Sequence, residues 1–268
     1  MAFVEKYGPW ALVTGAASGI GAELARHLAE RGLHLLLLDM DEAGLRDHAS
    51  QLRERHAVEI VPLIADLSRP DFLEGLEDEI AQRDIGLLIC NAGVGSAGPF
   101  ETTALEEMMR AIDINCRATL RLTHRIVPGL IARGRGGLIL LASDSAFQGT
   151  PYVANYAGTK AYNLILGESL WYELAPYGVD VLAFAPGGTN TPSLRRGNPR
   201  LREGETPPGI MLAGPTALAA LESLGRAPSA RPDWRNRLDT FIQTRLLPRR
   251  RAITRFGRRL AHMGPNRS

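Results

Sequence analysis

Cysteine is scarce in this chain of 268 residues, and long apolar runs are missing altogether. Cys90 and Cys116 alone cannot form the disulfide network that holds small secreted proteins together, so a reduced setting is expected. No apolar stretch approaches the roughly 20 residues that span a bilayer. Residues 1–10 lack a basic stretch followed by an apolar one, which argues against a secretory signal. These absences predict a globular cytoplasmic protein.

Lysine is as rare as cysteine, because Lys160 is one of only two lysines in a chain with 31 lysines and arginines. Arginine is concentrated at the end of the chain. Residues 228–268 hold 11 arginines against Asp233 and Asp239, whereas the other 227 residues carry 20 positive and 27 negative groups. The sequence therefore predicts a mildly acidic body at 1–227 and an arginine-rich extension at 228–268.

Short apolar runs alternate with longer amphipathic stretches. The runs that predict strands lie at 10–14, 33–39, 59–62, 85–90, 137–143 and 179–185. The stretches that predict helices lie near 20–31, 41–56, 70–83, 103–133, 152–175 and 215–225. Four consecutive leucines at 35–38 indicate a strand that is covered on both faces, as in parallel sheets. The alternation predicts an α/β fold with a doubly wound parallel sheet (a Rossmann fold) in a single domain, and an irregular binding loop at about 187–213.

A glycine-rich turn follows the first predicted strand. Gly15, Gly19 and Gly21 allow the backbone to turn tightly and to approach a phosphate, and the next helix offers free N–H groups to that anion. The spacing G-x-x-x-G-x-G differs from the commonest dinucleotide fingerprint. Its place between a strand and a helix nevertheless predicts a dinucleotide site rather than a merely flexible loop.

Asp39 ends the second predicted strand, 18 residues after Gly21. A carboxylate at this position accepts hydrogen bonds from the adenosine ribose hydroxyls and repels a 2′-phosphate. No cation occupies Ser18 or Met40 to attract that phosphate, so we expect NAD(H) to be preferred and NADP(H) to bind less well. Asp39 or Asp41 could instead cap the next helix, and the two roles can coexist.

Tyr156 and Lys160 stand four residues apart, which places both side chains on one face of a helix. A nearby ammonium favours the phenolate and is expected to lower the pKa of Tyr156 from about 10 towards neutrality, where a phenol can give or take a proton. Ser143 precedes Tyr156 by 13 residues. In isolation such a pair is more often two surface neighbours, but the other motifs favour chemistry.

Together these features resemble those of the short-chain dehydrogenase/reductase family, over residues 10–225. The motifs occur in the order of the family: the turn at 14–21, Asp66, Asn91-Ala92-Gly93, Asn115, Ser143, Tyr156 with Lys160, and Pro186-Gly187 followed by Thr191. One departure is Cys90, where the family commonly has asparagine; the change should matter little, because that turn acts largely through its backbone and Asn91.

The resemblance implies four catalytic residues. Ser143 would hold the substrate oxygen, and Tyr156 would give or take its proton. Lys160 would hold the nicotinamide ribose and lower the pKa of Tyr156. Asn115 would support a water in the proton relay that leads away from Lys160. Ser145 is a rival to Ser143, which its spacing from Tyr156 favours.

The resemblance also implies a set of cofactor-binding residues. Asp66 would bind the adenine ring, Asn91 would brace the central strand, and Thr191 would contact the nicotinamide carboxamide. The full set is Gly15, Ser18, Gly19, Ile20, Gly21, Asp39, Asp66, Leu67, Asn91, Ala92, Gly93, Tyr156, Lys160, Pro186, Gly187, Thr189 and Thr191. Cysteine and histidine nowhere cluster at metal-ligand spacing, so no metal is expected, and Cys116 is best explained as a buried inert thiol.

The function that this resemblance implies is NAD(H)-dependent interconversion of a secondary alcohol and a ketone. A hydrophobic small-molecule substrate is favoured by an apolar set at the predicted cleft, namely Phe147, Tyr152, Val153, Leu194, Ile210 and Met211. Four arginines nearby would bind an acidic group of the substrate or belong to a solvated loop: Arg195, Arg196, Arg200 and Arg202. A homodimer or homotetramer is expected, and the alternative is a non-catalytic NAD(P)-binding sensor or scaffold protein.

The arginine-rich extension can be wound as a helix over residues 246–263. Its apolar stripe consists of Ile253, Phe256, Leu260 and Met263, with arginines and His262 around it. Such a helix can lie on an anionic membrane surface, or it can pack through its apolar stripe on the body or on a second subunit. Both alternatives stay open from the sequence, and no nucleic acid partner is expected.

Overall fold

The protein is built around a seven-stranded parallel sheet, which confirms the predicted fold. The computed structural model describes residues 2–197, 201–232 and 246–260. The strands of the sheet are β1 (Trp10–Thr14), β2 (His34–Asp39), β3 (Ile60–Ile64), β4 (Ile85–Cys90), β5 (Gly136–Leu141), β6 (Val179–Phe184) and β9 (Ser229–Ala230). Their order across the sheet is β3-β2-β1-β4-β5-β6-β9. The order reverses between β1 and β4, and such a switch point opens a crevice at the carboxyl ends of the strands.

Helices cover both faces of the sheet. They are α1 (Phe3–Tyr7), α2 (Gly19–Glu30), α3 (Glu42–Arg55), α4 (Glu77–Ala81), α5 (Leu105–Ile112), α6 (Thr119–Arg133), α7 (Ala154–Leu174), α8 (Pro192–Gly197), α9 (Ala213–Ser223) and α10 (Arg249–Arg259). Among the described residues, no helix is both long and apolar enough to cross a membrane.

The four leucines of β2 explain why the sheet needs both helical layers. Leu35 and Leu37 point to the core under α2 and α9, whereas Leu36 and Leu38 point to the core under α6. All four side chains are fully buried. Since successive side chains of a strand face opposite ways, an unbroken apolar run requires cover on two sides. Each buried leucine contributes about 1.5–3 kcal/mol to folding.

The helix predicted over 103–133 is interrupted by a π-helical turn at Asp113–Ala118, which joins α5 to α6. A π-turn inserts an extra residue into the helix and often marks a functional site. Asn115 lies in this turn, with its side chain completely buried. The helix predicted over 70–83 is shorter than expected and consists of a 3₁₀ turn at Glu74–Leu76 followed by α4.

The prediction of an irregular loop over 187–213 is wrong in part. The segment contains β7 (Gly188–Asn190) and β8 (Ile210–Leu212), which pair as a small parallel ladder, and α8 between them. Three-residue strands are too short to produce a recognisable alternation, so the sequence did not reveal them. The edge strand β9 was missed for the same reason, and it joins the sheet beyond residue 227.

Candidate active site

The glycine-rich turn connects β1 to the first residue of α2. Gly15 and Gly19 have φ values of +68° and +61°, which residues with a side chain rarely adopt. A Cβ on Gly21 would overlap the carbonyl oxygen of Gly15. Ser18 precedes α2 and makes no side-chain capping hydrogen bond. The turn therefore presents backbone N–H groups and a helix N-terminus at the crevice, as the sequence predicts.

Asn91 holds this turn against the next strand. Its Nδ2 donates to the carbonyl oxygens of Thr14 at 2.9 Å and Gly15 at 3.1 Å. The backbone N–H groups of Asn91 and Ala92 both donate to the Thr14 hydroxyl at 3.0 Å. The two strands at the switch point are thus locked together where the crevice begins.

Thr191 reaches the turn from the other side of the crevice. A Cβ on Gly19 would stand 3.0 Å from the methyl group of Thr191, so the two residues are in close contact. Ile20 packs on the core beneath the turn. Pro186 accepts a hydrogen bond from the Asp144 N–H at 3.0 Å, which ties the segment after β6 to the end of β5. Gly187 accepts from the Thr189 hydroxyl at 3.1 Å.

Asp39 lies at the carboxyl end of β2, beside the turn. Its Oδ2 accepts from the Ala17 N–H at 3.0 Å, and its Oδ1 accepts from the Asp41 N–H at 3.1 Å. Asp41, rather than Asp39, is the N-cap of α3 and accepts from Gly44 at 3.1 Å. The capping role considered for both residues therefore belongs to Asp41, and the Asp39 carboxylate faces the glycine-rich turn.

Asp66 follows β3 and forms an ion pair with Arg110 of α5. Arg110 was not singled out from the sequence. Partial burial would raise the pKa of Asp66, but hydrogen bonds from Ser68 and the Arg110 charge outweigh it and hold the pKa below its usual value. Leu67 is buried in the hydrophobic core next to Asp66. No local pattern could have revealed Arg110, because its partner is 44 residues away in the chain.

Three of the predicted catalytic residues lie close together near the carboxyl end of β5, namely Ser143, Tyr156 and Lys160. Ser143 is buried two residues after β5, and the other two lie on α7. The Lys160 side chain is only 4% exposed; its Nζ donates to the Leu141 carbonyl at 2.9 Å and lies 5.8 Å from the centre of the Tyr156 ring. The predicted spacing on one helical face therefore brings these two residues to one place.

The expectation that Lys160 lowers the pKa of Tyr156 is wrong for this arrangement. Burial raises the pKa of the phenol, a hydrogen bond with Ser143 opposes that rise, and the negative charge of Asp144 adds to it. Burial also lowers the pKa of Lys160, to about 8. Spacing along a helix reveals proximity, but the pKa depends on how much water each group has lost.

Asn115 joins the loop after β4 to α7. Its Oδ1 accepts from the Val94 N–H at 2.9 Å, while its Nδ2 donates to the Val94 carbonyl and the Thr159 hydroxyl at 2.8 Å each. A Cβ on Gly93 would meet Lys160 Nζ at 2.9 Å and Asn115 Oδ1 at 3.4 Å. These contacts place Gly93, Asn115 and Lys160 side by side.

Ser145, the rival of Ser143, is buried, whereas the thiol of Cys116 is only partly buried. The Ser145 hydroxyl has no hydrogen-bond partner among the described residues, whereas the Ser143 hydroxyl donates to Asp144 Oδ1 at 3.2 Å and accepts from the Ser145 N–H at 3.3 Å. Cys116 donates from Sγ to the Thr159 carbonyl at 3.7 Å, and burial raises its pKa. The described residues contain no group of side chains that could hold a metal ion.

Gly95 is a second residue that sequence reasoning did not single out. A Cβ there would lie 2.6 Å from Tyr156 Cδ2 and 2.9 Å from Cγ. The backbone at Gly95 therefore packs directly against the ring of Tyr156. The sequence predicts residues 94–100 and 144–153 as walls of the substrate cleft, and a glycine within the first of these walls was the available signal.

The C-terminal helix α10 packs against the other predicted wall, residues 144–153. Ile253 of α10 would lie 3.4 Å from a Cβ on Gly149, and Pro151 would lie 3.3 Å from a Cβ on Gly257. Ala252 of α10 is completely buried. The packing alternative for the arginine-rich extension is therefore observed for residues 246–260; His262 and Met263 lie outside the described residues.

The same wall holds a strained residue. Tyr152 has a φ of +66°, and its carbonyl accepts from the Gly98 N–H at 2.8 Å. A bulky residue in this conformation costs about 1–3 kcal/mol and persists where its surroundings hold it, often at a binding site. Phe147 packs under the Arg231 guanidinium, 4.4 Å from the ring centre.

The arginines of the 187–213 segment are partly engaged. Arg195 donates to Asn190 Oδ1 at 3.0 Å and lies 3.7 Å from Glu203. Arg196 is exposed on α8. Arg200 lies outside the described residues. These contacts favour a structural role for Arg195 over recognition of an acidic substrate.

Comparisons with known proteins agree with this geometry. Residues 9–201 match the family model of the short chain dehydrogenases. A very-long-chain 3-oxoacyl-CoA reductase from Podospora anserina is 38% identical over 181 residues, which is 66% of this chain and 53% of that protein. The human inactive hydroxysteroid dehydrogenase-like protein 1 is 32% identical over 187 residues, 68% of this chain and 56% of that protein. The chain thus spans about half the length of these curated relatives.

Solved structures cover more of the chain. A structure described as giving insights into 7beta-hydroxysteroid dehydrogenase stereoselectivity superposes with a TM-score of 0.88 at 27% identity, covering 96% of this chain and all of that one. Other similar structures contain NADPH, NADP or NAD. With the family model spanning most of the chain, the protein belongs to the short-chain dehydrogenase/reductase family, whose members are nucleotide-binding oxidoreductases.

Proposed function

We propose that the protein is an NAD(H)-dependent oxidoreductase that interconverts a secondary alcohol and a ketone on a bulky hydrophobic substrate. The observation that carries this proposal is the meeting of Ser143, Tyr156 and buried Lys160 at the carboxyl edge of the sheet, beside the glycine-rich turn. A pure binding protein has no need of this proton chemistry.

The proposed mechanism assigns one task to each side chain. In the oxidation direction, Tyr156 as phenolate accepts the hydroxyl proton while the substrate carbon loses a hydride and its oxygen becomes a carbonyl. The Ser143 hydroxyl donates a hydrogen bond to that oxygen and holds it beside the phenol. A bound nicotinamide supplies the redox chemistry by taking up the hydride, and reduction runs the same steps in reverse.

Lys160 and Asn115 have supporting tasks in this proposal. The Lys160 ammonium would hold the nicotinamide ribose and connect Tyr156 to Asn115, from which the proton reaches solvent through a water. Because burial raises the pKa of Tyr156, the phenol keeps its proton near neutral pH. Reduction of a ketone needs this protonated phenol, whereas the rate of alcohol oxidation should increase as the pH rises.

The proposed dinucleotide site would extend from the glycine-rich turn to Thr191, and the remaining residues predicted to bind the cofactor would line it. The Asp39 carboxylate supports a preference for NAD(H), because it would accept hydrogen bonds from both ribose hydroxyls and repel a 2′-phosphate. Asp66 would meet the adenine ring, and Asn91 would keep the turn in place.

A bulky apolar substrate is supported by the walls of the cleft and by the relatives. The predicted pocket residues Phe147, Tyr152 and Val153 belong to the wall that α10 contacts. Relatives and structural neighbours are named for very-long-chain 3-oxoacyl-CoA, for 7beta-hydroxysteroids and for bulky-bulky ketones. We infer that α10 supports this wall of the substrate site.

A homodimer or homotetramer fits the surface of α5, α6 and α7. These helices expose large apolar side chains, namely Leu105, Met109, Ile112, Leu120, Tyr162, Ile165, Trp171 and Tyr172. A contact between copies would remove them from water.

The packing of α10 limits the kind of peripheral membrane contact that we propose. Its apolar side contacts the body and is not available for insertion into lipid. Arg251, Arg255 and Arg258 recur at a helical spacing of i, i+4, i+7 and are exposed. Any attraction to an anionic membrane would therefore be electrostatic, at about 1 kcal/mol for each charge near the surface.

The alternative function is a non-catalytic sensor or scaffold, and some relatives are named as inactive. A screen of bulky secondary alcohols with NAD⁺ and ketones with NADH, followed by the absorbance of the reduced nicotinamide, separates the two. Turnover supports the enzyme. Tight NADH binding without turnover on any alcohol or ketone supports the sensor.

A further inference from the structure

A guanidinium from α5 lies at the adenosine end of the site. Arg110 Nη2 is 3.3 Å from the Met40 sulfur and 3.4 Å from Asp66 Oδ1. Its Nη1 is 3.1 Å from the Ser68 hydroxyl and 3.4 Å from Asp66 Oδ2. Arg110 thus contacts Met40, which directly follows Asp39 at the end of β2, and Asp66, which lies two residues after β3.

The guanidinium of Arg110 is accessible to an incoming group. The Arg110 side chain is 40% exposed. Its two contacts with Asp66 are long, since charge-assisted hydrogen bonds usually measure about 2.7–2.9 Å. A guanidinium presents a fork of N–H donors that matches a phosphate as well as a carboxylate, so a phosphate at shorter distance would replace these long contacts with Asp66.

A phosphate on the 2′ position of a bound ribose would meet charges of opposite sign from Asp39 and Arg110. Asp39 carries a negative charge that repels a phosphate. Arg110 carries a positive charge that attracts one. The absence of a cation at Ser18 and Met40 does not leave this end without positive charge, because α5 supplies it from a distant part of the chain.

We propose that Arg110 is the residue that reads the 2′ position of the adenosine ribose and narrows the preference for NAD(H) over NADP(H) that Asp39 creates. This inference rests on the proposed dinucleotide site and adds a specificity residue to it. The protein should consequently accept NADPH at higher concentration rather than reject it.

The test is a titration of NADH and NADPH, followed by nicotinamide fluorescence, for the wild type and for Arg110→Ala and Asp39→Ala. Loss of a charge-assisted hydrogen bond changes affinity by about tenfold or more. Arg110→Ala should therefore raise the ratio of the NADPH to the NADH dissociation constant by about tenfold, and Asp39→Ala should lower it. Arg110→Lys, which keeps the charge but not the fork, should fall between Arg110→Ala and the wild type.

The matched control is Arg125→Ala, which removes an exposed arginine paired with Glu77 on α6 and should leave both affinities unchanged. An unchanged ratio in Arg110→Ala overturns the inference, and so does an equal loss for both dinucleotides, which would make Arg110 a support for adenine. A wild type that binds NADPH as tightly as NADH would contradict the proposed cofactor preference instead, while the change on mutating Arg110 would still decide the inference.

Discussion

The two ends of the site obtain their chemistry from different physical sources. At the catalytic end, Lys160 and Ser143 are 4% and 7% exposed, and loss of water dominates the pKa of Lys160 and of Tyr156. At the adenosine end, Asp66 and Arg110 keep 29% and 40% of their side-chain surface exposed, and hydrogen bonds from Ser68 together with the Arg110 charge hold the pKa of Asp66 below its usual value despite partial burial. In our proposal, reactivity depends on desolvation at one end, and cofactor choice depends on a balance of charges at the other.

The largest expected effect is at the catalytic end. Tyr156→Phe removes the proton-transferring hydroxyl and keeps the ring, so the turnover number should fall at least about a hundredfold. The dissociation constant of NADH should change little. Tyr162→Phe, an exposed tyrosine on the same helix, is the control and should leave turnover unchanged. Wild-type turnover in Tyr156→Phe would remove this residue from the mechanism.

Gly95→Ala tests how closely the ring of Tyr156 must be held. The new Cβ would stand 2.6 Å from Cδ2, so the ring has to move. We expect the turnover number to fall by about tenfold or more, because displacements of about 1 Å have large effects on catalysis. Gly158→Ala is the matched control, since a Cβ there meets nothing within 4 Å. Equal turnover in both variants would contradict close packing of the ring.

Ile253→Ala tests whether α10 supports the substrate wall. Removing the contact with Gly149 should loosen the wall and raise KM for a bulky ketone several-fold, with NADH affinity unchanged. Thr254→Ala, on the exposed side of α10, should behave as the wild type. A rise in the NADH dissociation constant equal to the rise in KM would point to general destabilisation of the fold.

The smallest expected effect is a displacement of the pH profile. Oxidation needs the Tyr156 phenolate, so its rate should rise as the pH passes through the pKa of Tyr156. The Asp144 charge raises that pKa, and Asp144→Asn should therefore move the rise to lower pH. A profile of kcat against pH for both proteins measures it. Movement to higher pH would show that Asp144 does not act through its charge.

Much of the frame could be predicted from the sequence. The β1 and β4 strands have the predicted bounds, and α2, α3 and α7 begin and end within two residues of their predicted limits. The two strands are continuous apolar runs and the three helices are long stretches between such runs, so local pattern is sufficient. The segment at 187–213 was mistaken for irregular structure because its strands are three residues long and are held by pairing with each other.

The site divides in the same way. Sequence alone determined the glycine-rich turn, the placement of Asp39 and the pairing of Tyr156 with Lys160, since each follows from spacing within one or two neighbouring elements. Only the tertiary structure decided that Arg110 stands beside Met40, that α10 backs the wall at Gly149, and that burial raises rather than lowers the pKa of Tyr156. Contacts between distant segments and the removal of water arise only when the chain folds, and no local pattern encodes them.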